Sequence, residues 1–217
     1  MKTETVNAIK RNKLIVILRG ISADKIIPLA KALYNGGVRV IEVTYETDGS
    51  ISDSETAEKI KLLCDYFKGK MFIGAGTVLT KKQIAMTKKA GGCLIVSPNT
   101  DKKIIKETVK SGLVSIPGAY TPSEITDAYH FGADFVKVFP AAQLGADYFK
   151  AVKAPLKGVP LLAVGGITVG NIDNFANAGA CGYGISTGII DKAMLDADDY
   201  DGIEKKTREF ADRIDSL

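Results

Sequence analysis

Three side chains in this sequence stand where their types are costly to place, and each could do chemistry. Lys137 lies in Ala133-Asp-Phe-Val-Lys-Val-Phe-Pro140, an otherwise apolar run. Successive side chains of a strand point to opposite faces, so Phe135, Lys137 and Phe139 share one face and Val136 and Val138 the other. If the valines meet helices, Lys137 points into the interior. Desolvation there disfavours the ammonium and lowers its pKa. The neutral amine is the form that attacks a ketone carbonyl. A reversed register, or a lysine that snorkels to the rim, is the alternative the run leaves open.

Glu42 lies mid-strand in Val38-Arg-Val-Ile-Glu-Val-Thr44, where glutamate is depleted and is rarely buried without a partner. Alternation puts Val40, Glu42 and Thr44 on one face. A carboxylate and a lysine in one interior can shuttle protons between an amine, a carbinolamine hydroxyl and a substrate. They can equally form a structural ion pair without chemistry. Arg19 ends the run Leu14-Ile-Val-Ile-Leu-Arg19 and is followed by Gly20, a placement suited to bidentate binding of a carboxylate or phosphate. A solvent-exposed loop arginine is the plain alternative. Two glycine-rich turns, Gly165-Gly166-Ile167-Thr168 and Gly182 to Gly188 around Ser186, offer backbone N–H groups to an anion.

These residues need a frame. Apolar, β-branched runs recur at Leu14–Leu18, Val38–Val43, Met71–Ala75, Cys93–Val96, Leu113–Pro117, Asp134–Val138, Pro160–Val164 and Cys181–Ile185, their starts 20 to 33 residues apart. Each interval holds a strand, a helix and two loops. Helical periodicity fills Ser22–Asn35, Thr80–Lys89, Asp101–Ser111, Thr121–Phe131 and Thr168–Ala178, with capping residues at the start and glycine near the end. The charged stretch Asp196–Leu217 reads as a last helix. Alternation of this evenness predicts parallel strands closed into a (β/α)8 TIM barrel, with residues 1–217 as a single domain. The active site of such a barrel lies at the C-terminal ends of its strands, and the turns after strands seven and eight commonly bind phosphate.

Composition excludes several classes. With 46% hydrophobic and 25% charged residues the chain is ordinary globular material. A net charge of +4 is too small to argue for nucleic acid. Cys64, Cys93 and Cys181 are isolated, and the single histidine, His130, lies near a helix end, so no metal cluster is expected. The Lys81-Lys82 and Lys88-Lys89 pairs read as a solvated helix face. Tyr45, Tyr120 and Tyr183 could line the mouth. The first residues lack the apolar core of a signal peptide, and no apolar run suggests a membrane span. The expectation is a soluble, cytoplasmic protein with reduced thiols.

The motifs Val40-Ile-Glu42-Val-Thr44, Gly74-Ala-Gly76-Thr77-Val78-Leu79, Val96-Ser97-Pro98, Ile116-Pro117-Gly118, Phe135-Val-Lys137-Val-Phe139-Pro140 and Gly165-Gly166-Ile167 are similar in order and spacing to a known family. The chain resembles the 2-keto-3-deoxy-6-phosphogluconate (KDPG) / 4-hydroxy-2-oxoglutarate (KHG) aldolases from about Ile15 to about Gly188. The resemblance implies a homotrimeric class I aldolase, free of metal or organic cofactor, acting on a small keto-acid or phosphosugar-acid substrate and releasing pyruvate. It implies that Lys137 forms the Schiff base and that Glu42 is the general acid/base, acting through bound water. Thr77 and Pro98 would then lie at the pyruvate subsite and Phe139 would shape the pocket. Arg19, Gly165, Gly166 and Ser186 would face the distal end, where a phosphate sits in the phosphogluconate enzymes. One departure stands out. Where the family usually places an arginine after Glu-Val-Thr, this chain has Glu46, a charge that repels a substrate carboxylate unless it turns away. A phosphosugar isomerase or epimerase on the same barrel, or a non-catalytic phosphosugar-binding barrel, are the competing readings.

Overall fold

The computed structural model describes residues 1–217. The chain opens with helix α1 (Lys2–Asn12) and then alternates: β1 (Leu14–Leu18), α2 (Ala23–Asn35), β2 (Val40–Thr44), α3 (Asp53–Tyr66), β3 (Phe72–Gly76), α4 (Lys81–Lys89), β4 (Leu94–Val96) and α5 (Lys102–Lys110). The fifth strand comes in two pieces, β5 (Val114–Ile116) and β6 (Gly118–Ala119). After it follow α6 (Pro122–His130), β7 (Val136–Val138), α7 (Ala141–Lys153), β8 (Leu161–Val164), α8 (Ile172–Asn177), β9 (Gly182–Ile185), α9 (Lys192–Asp196) and α10 (Tyr200–Asp215).

All strand pairs are parallel, and the sheet runs β5-β4-β3-β2-β1-β9-β8-β7-β6. Its two edges, β5 and β6, are halves of one strand split at Pro117, which has no N–H to give to a ladder. The carbonyls of Ser115, Pro117 and Ala119 accept from Phe135, Lys137 and Phe139, so the edges meet and the barrel closes. Eight expected strands and nine observed segments are therefore the same architecture.

Side-chain alternation sorts the apolar residues into two layers. Leu14, Val16, Leu18, Val136, Val138, Leu161 and Ala163 face outward into the core shared with the helices. Ile15, Val40, Leu94, Val96, Val114, Ile116, Phe135, Leu162 and Val164 fill the barrel interior. Helix α1, which hydrophobic periodicity did not reveal, adds Ala8 and Ile9 to that interior layer and closes the floor. Lys2 ties the helix to the wall through Asp134 at 3.0 Å, and Asp134 in turn accepts from the Ser115 N–H. Asp134 is thus a bracket below β7 rather than part of the strand.

Local chemistry sets the helix starts. Ser52, Thr80 and Thr121 each form a reciprocal capping box with the residue three positions on, and Asp101 caps α5 alone. Two helices differ from the sequence reading. The segment from Thr168 stays a turn until Ile172, because Asn171 Oδ1 takes the Thr168 N–H and Asn171 Nδ2 donates to the Gly166 carbonyl. The C-terminal stretch is two helices, α9 and α10, separated at Asp198, which has a left-handed φ of 54°. No helix is long and apolar enough to cross a membrane.

Replacing Ile9 by alanine tests the floor. The side chain is fully buried, so Ile9→Ala should lower unfolding stability in urea by about 2–5 kcal/mol, as large-to-small core changes do. A loss below about 0.5 kcal/mol would show that α1 does not seal the barrel.

Candidate active site

Above the apolar floor two charged side chains interrupt the interior. Glu42 projects from the middle of β2 and Lys137 from the middle of β7, with 3% and 8% exposure. The valine faces of β7 do pack on the helices, which settles the register of Lys137. Glu42 owes its position to a neighbour without a side chain. A Cβ at Gly76 would sit 2.7 Å from the Glu42 carboxyl carbon. Thr44 follows on the same face and is also buried. Glu42 Oε2 and Thr44 Oγ1 are the two buried side-chain polar atoms without a hydrogen-bond partner within the protein. Such atoms cost about 1–3 kcal/mol each when left unmatched.

Glu42 and Lys137 influence each other by charge but are not among the ion pairs of the chain. Burial is the main influence on both. It pushes the Glu42 carboxyl up from its ordinary range, and the Lys137 and Arg19 charges pull it part-way back. Burial drives the Lys137 ammonium down, opposed by Glu42 and helped by Arg19. Both groups therefore shift toward their uncharged forms, which favours a neutral amine and a protonated carboxyl in one interior. The Phe139 ring lies 4.6 Å from Lys137 Nζ and is 39% exposed at the mouth.

Thr77 stands at the rim with φ at 54°, a left-handed conformation that costs a β-branched residue on the order of 1–3 kcal/mol. Its Oγ1 meets Arg19 Nη2 at 3.2 Å. The other guanidinium nitrogen, Nη1, lies 3.5 Å from Glu46 Oε2, while Glu46 Oε1 accepts from the Gly20 N–H. Across the mouth, Gly165 and Gly166 both adopt positive φ. A Cβ on Gly165 would come within 3.1 Å of the Phe139 ring, so this turn needs glycine for space as well as conformation. The N–H groups of Gly166, Thr187 and Gly188 have no acceptor within the protein. Ser186 Oγ donates to the Ile17 carbonyl.

Together these residues line a cavity of about 460 Å³ at the C-terminal ends of the strands. Larger hollows of about 630 Å³ beside Tyr148 and Leu156, and of about 590 Å³ beside Met1 and Cys64, lie elsewhere. Neither contains a nucleophile opposed by a buried acid, so chemistry and not size locates the site. No group of three or more His, Cys, Asp or Glu side chains converges on a metal-sized point.

The profile of the KDPG and KHG aldolases matches residues 5–206 of the chain. The chain belongs to this aldolase family. It is 33% identical over 175 residues to the 2-dehydro-3-deoxy-6-phosphogalactonate aldolase of Escherichia coli (strain K12), covering 80% of this chain and 82% of that one. With the 2-dehydro-3-deoxy-phosphogluconate aldolase of Haemophilus influenzae it shares 29% identity over 215 residues, 97% of each. The solved KDPG aldolase of Legionella pneumophila, with pyruvate captured as a covalent carbinolamine, superposes with a TM-score of 0.85 at 26% identity, covering 96% of this chain and 98% of that one. The family makes the chain a lyase on a (β/α)8 barrel.

Set against this aldolase barrel, the sequence expectations divide clearly. Lys137, Glu42, Arg19, Thr77, Pro98, Phe139, Gly165, Gly166 and Ser186 all border the cavity. Thr44 does not line it, although it follows Glu42 on the same face of β2. Arg19 donates to Thr77 Oγ1 and borders the same cavity as the glycine turns. Tyr45 and Tyr183 are buried away from the mouth, Tyr45 bonding Gln83 and Thr87, and neither they nor exposed Tyr120 line the cavity. His130 and the two lysine pairs are exposed. Sequence reasoning missed Gly76, for which no signal exists beyond its place in the Gly-Ala-Gly-Thr run, while Thr168 and Thr187 on the distal wall fall within the two glycine-rich turns it named.

Gly76 supplies a test that removes no charged group. Gly76→Ala should fold, but its methyl group should displace the Glu42 carboxyl and reduce kcat/KM about a hundredfold, as ångström-scale misplacement of catalytic groups does. Steady-state kinetics on a keto-acid aldol substrate measures it, and activity within about twofold of wild type would exclude the role.

Proposed function

We propose that this chain is a class I aldolase that reversibly cleaves a 2-keto-4-hydroxy acid into pyruvate and an aldehyde, with Lys137 as nucleophile and Glu42 as proton carrier. The observation that carries the reading is a buried, unpaired lysine opposed by a buried carboxyl at the catalytic end of the barrel. Neutral Lys137 Nζ attacks the C2 carbonyl carbon. Glu42 relays protons so that the carbinolamine oxygen leaves as water and an iminium remains. The C3–C4 bonding pair then moves into the iminium as Glu42 accepts the C4 hydroxyl proton, freeing the aldehyde. Glu42 returns a proton to C3 of the enamine, and hydrolysis of the iminium releases pyruvate and restores the amine.

Thr77 and Pro98 bound the pyruvate end, Phe139 packs beside the reacting carbon, and Thr44 follows Glu42 on the same face of β2 with an unpaired hydroxyl. Gly165, Gly166 and Ser186 receive the distal end, where free N–H groups suit a phosphate or a second carboxylate. Arg19 is the cation of the rim. The names of the relatives support 2-keto-3-deoxy-6-phosphogluconate, its galactonate epimer or 4-hydroxy-2-oxoglutarate as substrate, with glyceraldehyde 3-phosphate or glyoxylate as the aldehyde. An isomerase or epimerase needs no Schiff-base lysine in the barrel. The family resemblance also supports a single-domain chain that works as a cytoplasmic homotrimer.

Incubation with pyruvate and sodium borohydride, read by intact mass, tests the nucleophile. Wild type should gain one reduced pyruvate adduct and Lys137→Ala none. Folded wild-type protein without an adduct would contradict the proposal.

A further inference from the structure

Resting on the aldolase reading above, we propose that Glu46 is a positioning residue that aims Arg19 at the keto-acid carboxylate beside Thr77. It thereby leaves the distal end of the cavity to uncharged donors. Four observations carry this. Arg19 is the only cation of the cavity wall besides Lys137, and Glu46 is absent from that wall. The Glu46 side chain is only 12% exposed, whereas Arg19 is 55% exposed, so the acid is the fixed member of the pair. Glu46 is fixed by its bond from the Gly20 N–H, which ties the loop after β2 to the loop after β1 at the residue following Arg19. Finally, the guanidinium is held on two sides, by Glu46 at Nη1 and by Thr77 at Nη2.

An arginine with half its side chain in solvent has many rotamers, and ordering it opposes binding. Anchored at both nitrogens, its remaining N–H groups are presented to a carboxylate lying against Thr77 without that loss. Pinned to Thr77 and Glu46, Arg19 makes no hydrogen bond to the Gly165–Gly166 turn, which leaves a distal phosphate or carboxylate to backbone N–H groups and hydroxyls. The negative charge of Glu46 is spent on Arg19 and Gly20. It stands behind the clamp and not in the path of the substrate.

The sign of one measurement decides the matter. The initial rate of borohydride trapping, followed against pyruvate concentration, yields a half-saturating concentration and a plateau rate. Glu46→Ala should raise the half-saturating concentration on the order of tenfold with the plateau nearly unchanged, and Glu46→Gln by less. In an Arg19→Ala background the Glu46 substitutions should have no further effect on half-saturation. If Glu46→Gln lowers the half-saturating concentration, Glu46 repels the carboxylate directly and the positioning role is overturned. A fall in plateau rate or melting temperature with unchanged half-saturation makes Glu46 a loop anchor only, which also overturns it. Absence of any adduct in wild type removes the aldolase reading, and with it the clamp.

Discussion

The cost of burying one lysine in a closed barrel is the constraint from which the rest of the site follows. Lys137 has no ion-pair partner, and what compensates it is the charge of Glu42 across the interior. A fully solvated lysine would stay protonated and inert toward a ketone. A tightly paired one would be held protonated by its partner. Separation without contact keeps the amine depressed in pKa yet able to exchange protons with the acid opposite. Arg19 at the rim pushes in the same direction for the lysine, while favouring the ionised form of Glu42. Each charge shifts the titration of the other across the interior.

That arrangement depends on features far from the reacting atoms. The apolar floor formed by Ile9, Phe135 and the inward valines and leucines offers no polar partner beneath the pair. The open backbone of Gly76 gives Glu42 its place. The split at Pro117 puts a carbonyl against the Lys137 N–H, so the strand bearing the nucleophile is hydrogen-bonded to both neighbours. The strained Thr77 and the fixed Arg19 at the mouth follow the same pattern, in which the scaffold holds polar groups in conformations they would not keep alone.

Much of this was legible in the residues. Period-two alternation put Lys137 on the face opposite Val136 and Val138 and grouped Glu42 with Thr44, while which face was inward waited on the packing of the valines. The even strand spacing implied closure. What escaped had physical reasons. Helix α1 is mostly polar and buries only Thr5, Ala8 and Ile9, and it precedes the strand–helix alternation on which the barrel assignment rests. Asn171 delays α8 through a side chain that competes for backbone groups, which composition does not reveal. Gly76 acts through the atoms it lacks. The direction taken by Glu46 depended on a bond to Gly20, a contact between two loops that no local pattern encodes.

The most direct test of the account is the titration of Lys137 itself, followed by NMR of the ε-methylene in selectively labelled protein with Lys137→Arg as the assignment control. The amine should titrate below the ordinary lysine value of about 10.4. Removing the opposing charge in Glu42→Gln should lower it further, because Glu42 is the group that raises it. An ordinary lysine titration in wild type, or a rise in Glu42→Gln, would contradict the account.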